Sequence, residues 1–250
     1  MQKNTKNKIY HISFLTNCVL LIIAMLVSIT MIKIPEAEAA ETIAEFNGTI
    51  YAGDQTSNKV TLMINVYWGD EALESMLDTL KEYNVHTTFF VGGTWVNENP
   101  KLAKRIIDEG HEIGSHGTTH KEQGKLGYQE NYKEIQTCHT IVQSTLNKEM
   151  NLFAPPSGSY NRDTIKAAKD LGYKTIMWTR DTIDWRDRET NIIYSRAVNN
   201  MQGGDLVLMH PTNNTAEALP KILDFMKKHG FDLVPVSENI SNQNKNIENL

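Results

Sequence analysis

Between Val60 and Val234 the chain alternates short apolar runs with stretches in which apolar residues recur every three or four positions. Val60 to Val66 is β-branched or apolar at nearly every position and predicts a strand. Trp68-Gly69-Asp70 breaks it, and Asp70 is placed to cap a helix from Glu71 to Tyr83 with Leu73, Leu77 and Leu80 on one face. Thr87 to Val91 predicts a second strand, ended by Gly92-Gly93. Asn99-Pro100 starts a helix with Leu102, Ile106 and Ile107 inward, closed by Gly110. A third strand, Glu112 to Ser115, ends at His116.

The same alternation continues. Tyr128 to Leu146 is helical, with Ile135, His139 and Val142 on one side, and His139 reads as a satisfied helix residue. Leu152-Phe153 leads into Ala154-Pro155-Pro156-Ser157-Gly158. Asn161 caps a helix from Arg162 to Leu171, stopped by Gly172. Lys174 to Trp178 is a strand, Asn191 to Met201 a helix, and Leu206 to Met209 a strand that runs into His210-Pro211. A helix from Ala216 to His229 and a strand from Phe231 to Val234 close the series. Thr49 to Tyr51 offers a short edge strand. Repeated strand–helix alternation implies parallel strands joined by right-handed crossovers. The repeat count favours an α/β barrel or a barrel-like sheet. His116, Asp181, His210 and the turn at Trp68 all follow strands, and in a parallel barrel such positions converge on one face.

Composition narrows the picture. The 250 residues are 40% hydrophobic and 22% charged, ordinary for a globular chain. A net charge of -5 argues against nucleic acid as a partner, since phosphate binding needs a basic surface. The first 39 residues stand apart. Lys3, Lys6 and Lys8 precede an almost wholly apolar run from Cys18 to Ile32, and Glu36-Ala37-Glu38-Ala39-Ala40 supplies small residues at cleavage-site spacing. This is the pattern of a secretory signal peptide. An uncleaved membrane anchor is the rival, because the apolar stretch approaches the roughly 20 residues that span a bilayer. Both readings export the rest of the chain, secreted or anchored with the domain outside the cytoplasm. Residues 40–57 read as a linker, 58–240 as the domain, and 241–250 as a polar tail. Cys138 is the one cysteine beyond the targeting segment, so no internal disulfide is expected there.

The candidate chemistry centres on Glu112 to His120, where His116 and His120 stand four residues apart. Neutral imidazole is the commonest ligand for a metal such as zinc. Gly114 and Gly117 bracket the first histidine, and Thr118-Thr119 disfavours a helix interior. The pair therefore belongs where a strand ends and a loop begins.

The order of motifs from Val60 to Ile240 resembles the polysaccharide deacetylases, the NodB-homology or carbohydrate esterase 4 family. His116-Gly-Thr-Thr-His120 matches their metal-binding motif. Ala154-Pro-Pro-Ser-Gly158 matches a loop whose family form is R-x-P-Y-G, Asp181-Thr-Ile-Asp184-Trp185 matches D-x-x-D-W, and Leu208-Met-His210 matches L-x-H. The resemblance implies a deformed (β/α) barrel and metal-dependent removal of N-acetyl groups from amino sugars of a cell-wall or spore-envelope glycan, peptidoglycan or chitin-like. It implies His116 and His120 as ligands of a divalent metal, usually zinc. His210 would be the general acid with Asp181 as its partner. Pro156, Ser157 and Gly158 would contact substrate, and Trp185 and Leu208 would line the acetyl pocket.

The first family motif, T-F-D-D-G, is replaced here by Asn65-Val66-Tyr67-Trp68-Gly69. Tyr67 stands where the base should be and Trp68 where the aspartate ligand should be. The arginine that pairs with the base is gone too, with Ala154 in its place. A buried arginine without its carboxylate would be an unpaired charge, so the joint loss is physically consistent. The pattern resembles a sporulation-linked branch of the family in spore-forming bacteria. Three readings stay open: a deacetylase in which Asp70 or Glu71 supplies the missing carboxylate, a glycan-binding module that has lost the chemistry, and an envelope-assembly protein.

Overall fold

The structure is a computed structural model and describes residues 48–241. The targeting segment 1–39, linker residues 40–47 and tail residues 242–250 lie outside the described residues. Nine strands and eight α-helices follow in chain order among the described residues. They are β1 (Thr49–Ile50), β2 (Lys59–Val66), α1 (Asp70–Glu82), β3 (Thr88–Val91), α2 (Gly93–Glu98), α3 (Pro100–Asp108), β4 (Glu112–Ser115), α4 (Tyr128–Leu146) and β5 (Leu152–Phe153). Then come α5 (Arg162–Asp170), β6 (Lys174–Ile176), β7 (Arg180–Asp181), α6 (Thr190–Val198), β8 (Leu206–Met209), α7 (Asn213–Lys228), β9 (Asp232–Leu233) and α8 (Val236–Asn239). No described helix is long and apolar enough to cross a membrane.

Every strand pairing is parallel, in the order β1-β6-β5-β4-β3-β2-β8-β7, with β9 also joined to β2. Among the described residues no pairing joins β7 to β1. The barrel-like sheet expected from the alternation is thus a curled half-barrel with open edges.

Strand β2 shows why the sheet takes this form. Its successive side chains point to opposite faces. Val60, Leu62, Ile64 and Val66 pack outward under the helices with Leu73, Leu77 and Leu80 of α1. Met63 packs inward with Phe90, Leu152 and Leu206. Both faces are buried, so the strand is apolar nearly throughout, as parallel sheets require.

Register then fixes the site. Val66 lies beside Val91, Val91 beside Ser115, and Ser115 beside Phe153. The backbone N–H groups of Gly92, His116 and Ala154 extend these ladders by one residue at the same end. The chain segments after β2, β4 and β5 therefore start at one level.

Several elements differ from the periodicity reading. Helix α2 was not expected. It is six residues long, too short to show a helical period, and it buries Trp95 and Val96. Helix α1 starts at Asp70 itself, and its N-cap is Gly69 at φ 87°, with no side-chain cap. The Asp70 carboxylate instead accepts a 2.7 Å hydrogen bond from the Trp95 indole N–H. Asp70 is therefore the first residue of the helix and does not cap it, contrary to the expectation from sequence. Asn161 does cap α5, within a reciprocal capping box to Thr164. His139 is satisfied by the Tyr173 hydroxyl at 2.6 Å and by Glu149 at 3.0 Å. Cys138 is buried and free.

Candidate active site

The histidine pair forms as the sequence suggested. His116 follows β4 and is buried, and its Nδ1 lies 2.8 Å from the Ala154 carbonyl oxygen. That contact leaves Nε2 as the nitrogen free for a ligand. His120 is half-buried, with its ring centroid 5.1 Å from that of His116. It reaches this position through left-handed backbone at Gly117 (φ 72°) and at His120 itself (φ 57°). The intervening loop is held by the buried Glu134. Its carboxylate accepts the Thr118 and Thr119 backbone N–H groups at 3.0 and 2.9 Å and the Thr119 hydroxyl at 2.8 Å. Burial, with His120 beside it, pushes the His116 imidazole down to about 3, and burial lowers His120 as well. Both rings are neutral at pH 7, the form that binds a metal.

The donor set does not fit the family's three-ligand metal. Catalytic zinc sites use three protein ligands, and here the third position carries Trp68. An indole has an N–H donor and no lone pair to offer. Its ring lies parallel to His210 (7° between planes, centroids 6.0 Å apart). The Tyr67 ring sits 5.1 Å from that of His120. No cluster of three or more histidine, cysteine or carboxylate groups suited to a metal occurs among the described residues. Asp70 and Glu71 line a second cavity of about 460 Å³ that also takes in Trp68, and the Asp70 carboxylate is held by the Trp95 indole.

His210 has a different partner from the one implied. Its Nδ1 is 2.8 Å from Asp184 Oδ1, and its backbone N–H donates to Asp184 Oδ2 at 2.6 Å. The Thr215 hydroxyl donates to the same Oδ2 at 2.6 Å. Asp184 is fully buried, so these three donors supply its solvation. Asp181 instead accepts the Ile183 backbone N–H at 2.8 Å, closing a turn in which Ile183 has φ 52°. The partner role implied for Asp181 therefore belongs to Asp184. Nothing local marked the choice, since both aspartates sit in one motif and the turn between them decides which faces His210.

A cavity of about 530 Å³ gathers most of the remaining candidates. Ser157, Gly158, Asp181, Trp185, Leu208 and His210 line it, with His120 and Trp68 at the same opening. Pro156 is buried beneath the loop and does not line the cavity. Two further residues that the sequence reading left without a role also line it, Asn65 and Trp178. Asn65 is 4% exposed, and its Oδ1 has no hydrogen-bond partner. The signal was a polar residue within an otherwise apolar strand.

A parallel half-barrel with an H-x3-H pair and an Asp–His pair at its strand ends is the architecture of carbohydrate de-N-acetylases. A family model described as polysaccharide deacetylase matches residues 52–176. The chain belongs to this family. It is 37% identical over 169 residues to a peptidoglycan-N-acetylglucosamine deacetylase of Bacillus cereus, covering 65% of this chain and 79% of that protein. It is 38% identical over 189 residues to the uncharacterised protein YlxY of Bacillus subtilis, covering 76% of this chain and 59% of that relative. Among solved structures it resembles BA3943, a CE4-family pseudoenzyme from Bacillus anthracis. The TM-score is 0.75 at 38% identity, over 77% of this chain and 68% of that one.

Proposed function

We propose that this chain binds an N-acetylated glycan of the peptidoglycan type and has lost the family's metal-dependent hydrolysis. The observation that carries the reading is Trp68, whose indole lies parallel to the His210 ring, centroids 6.0 Å apart, at the motif position of a ligand carboxylate. Two neutral imidazoles without a carboxylate hold zinc weakly. The cavity, by contrast, is intact. It has aromatic walls, and aromatic walls with a few placed polar groups suit a sugar. The similarity to a peptidoglycan deacetylase supports the glycan class, and the similarity to a pseudoenzyme supports the loss of chemistry.

A second reading has its own support. His210, Asp184 and Thr215 keep the geometry of an oriented general acid, which glycan binding alone does not need. One assay separates the two. Purified chain is incubated with N-acetylated chitooligosaccharide or peptidoglycan and added zinc or cobalt, and released acetate is measured beside His210→Ala. No release, with retention on insoluble peptidoglycan, is the expected result. Release that needs both metal and His210 would overturn the loss of activity.

The basic, apolar and small-residue pattern of the first forty residues supports export, secreted or anchored through that segment. Protease added to intact cells should then digest the domain. Protection, under conditions that cut a known surface protein, would refute export.

A further inference from the structure

Trp68 is the one residue common to the linings of the two cavities, of about 530 and about 460 Å³. It is 44% exposed, and its ring runs parallel to that of His210, with the planes 7° and the centroids 6.0 Å apart. An indole at a cavity mouth offers a flat apolar face to a ligand. Three positions earlier, Asn65 lies on the inward side of β2 with Met63 and lines the larger cavity. It is 4% exposed, and its Oδ1 is buried without a partner. Buried polar groups are nearly always hydrogen-bonded in native proteins, so an unpartnered carboxamide at a cavity wall suits a polar group of a ligand.

The two features ask for one chemistry. A hexosamine ring presents C–H groups on its faces, which pack on an indole, and polar groups at its edges. Its acetamide carries one N–H and one C=O, the complement of a carboxamide side chain. We infer that Trp68 and Asn65 form a recognition pair for an N-acetylhexosamine, the sugar ring stacking on Trp68 and the acetamide pairing with the unpartnered Asn65 carboxamide. The substitution that removes the metal ligand thereby creates a sugar platform. This inference rests on the glycan-binding reading and names the residues that perform it.

The test is calorimetric titration of the full chain with tetra-N-acetylchitotetraose, its de-N-acetylated counterpart, and muramidase-released peptidoglycan fragments. Trp68→Ala should weaken binding of the acetylated ligands about tenfold or more, whereas Trp68→Phe should stay within about threefold of the parent. Asn65→Ala and the milder Asn65→Ser should erase the preference for the acetylated over the de-N-acetylated tetramer. Near-ultraviolet circular dichroism checks that each variant is folded. If an Asn65 variant does not fold, saturation-transfer NMR on the parent chain decides the acetamide contact, and a silent acetyl methyl overturns it. Unchanged affinity and preference in both positions would overturn the recognition pair and leave glycan binding standing. A parent chain that binds none of the acetylated ligands would overturn both.

Discussion

His210 and Asp184 are joined twice, once through the imidazole Nδ1 at 2.8 Å and once through the His210 backbone N–H at 2.6 Å. The Thr215 hydroxyl makes a third bond to the same carboxylate. The aspartate thus orients the ring and also ties the end of β8 to the start of α7. Asp184→Asn should cost roughly 2–3 kcal/mol, because hydrogen bonds to a buried charged group are worth about that when one side is altered. Asp181→Asn should cost less than about 1 kcal/mol, since Asp181 is half-buried and makes one turn contact. Urea unfolding of the two variants checks the order.

Trp68→Asp should raise zinc affinity at least about tenfold, because it gives the histidine pair a third ligand at an exposed position. The measurement is retained zinc after dialysis against a weak chelator. Adding Tyr67→Asp should bring acetate release that depends on His210. A parent chain that already retains stoichiometric zinc would show that another residue completes the site.

Gly69→Ala should destabilise the protein by roughly 2–4 kcal/mol, combining left-handed strain with overpacking. Gly69 has φ 87°, and an added Cβ would lie 2.1 Å from the Pro211 carbonyl oxygen. That oxygen belongs to backbone and cannot swing aside. Thermal unfolding and the glycan affinity should fall together, since Gly69 anchors the turn that carries Trp68.

Stability should decline as pH falls from about 6.5 toward about 4, through His111 among other groups. Burial first, and His86 second, holds this imidazole down to about 4. Its Nδ1 accepts the Thr87 backbone N–H at 3.3 Å, a bond that only the unprotonated ring can make. The unfolded chain takes up the proton near 6.5 and the folded chain does not. The stabilisation is therefore complete above 6.5 and is lost as pH drops through that window. His111→Gln, whose amide oxygen can accept the same N–H, should give a flatter profile of urea midpoint against pH. An unchanged slope would remove His111 from the account.

The sequence by itself determined the elements and their order. The apolar run Val60 to Val66, the helix Tyr128–Leu146 and the Asn161 cap are local patterns, and local patterns survive packing. It also placed His116, His120 and His210 at strand ends, because a parallel sheet delivers every strand in the same direction. The loss of the first motif was legible for the same reason, as residue identity at a known turn. What only the tertiary structure decided is which side chains meet. Asp181 and Asp184 differ by three positions, and a turn through left-handed Ile183 turns the second toward His210. Asp70 looked like a helix cap or a spare ligand until Gly69 took the cap and Trp95, from a helix too short to show a period, took the carboxylate. The unpartnered amide of Asn65 is visible only once strand register sets the inward face of β2 against the cavity. Periodicity reports the face a residue occupies within its own element, and convergence depends on register and turn dihedrals that hydrophobic patterning does not record.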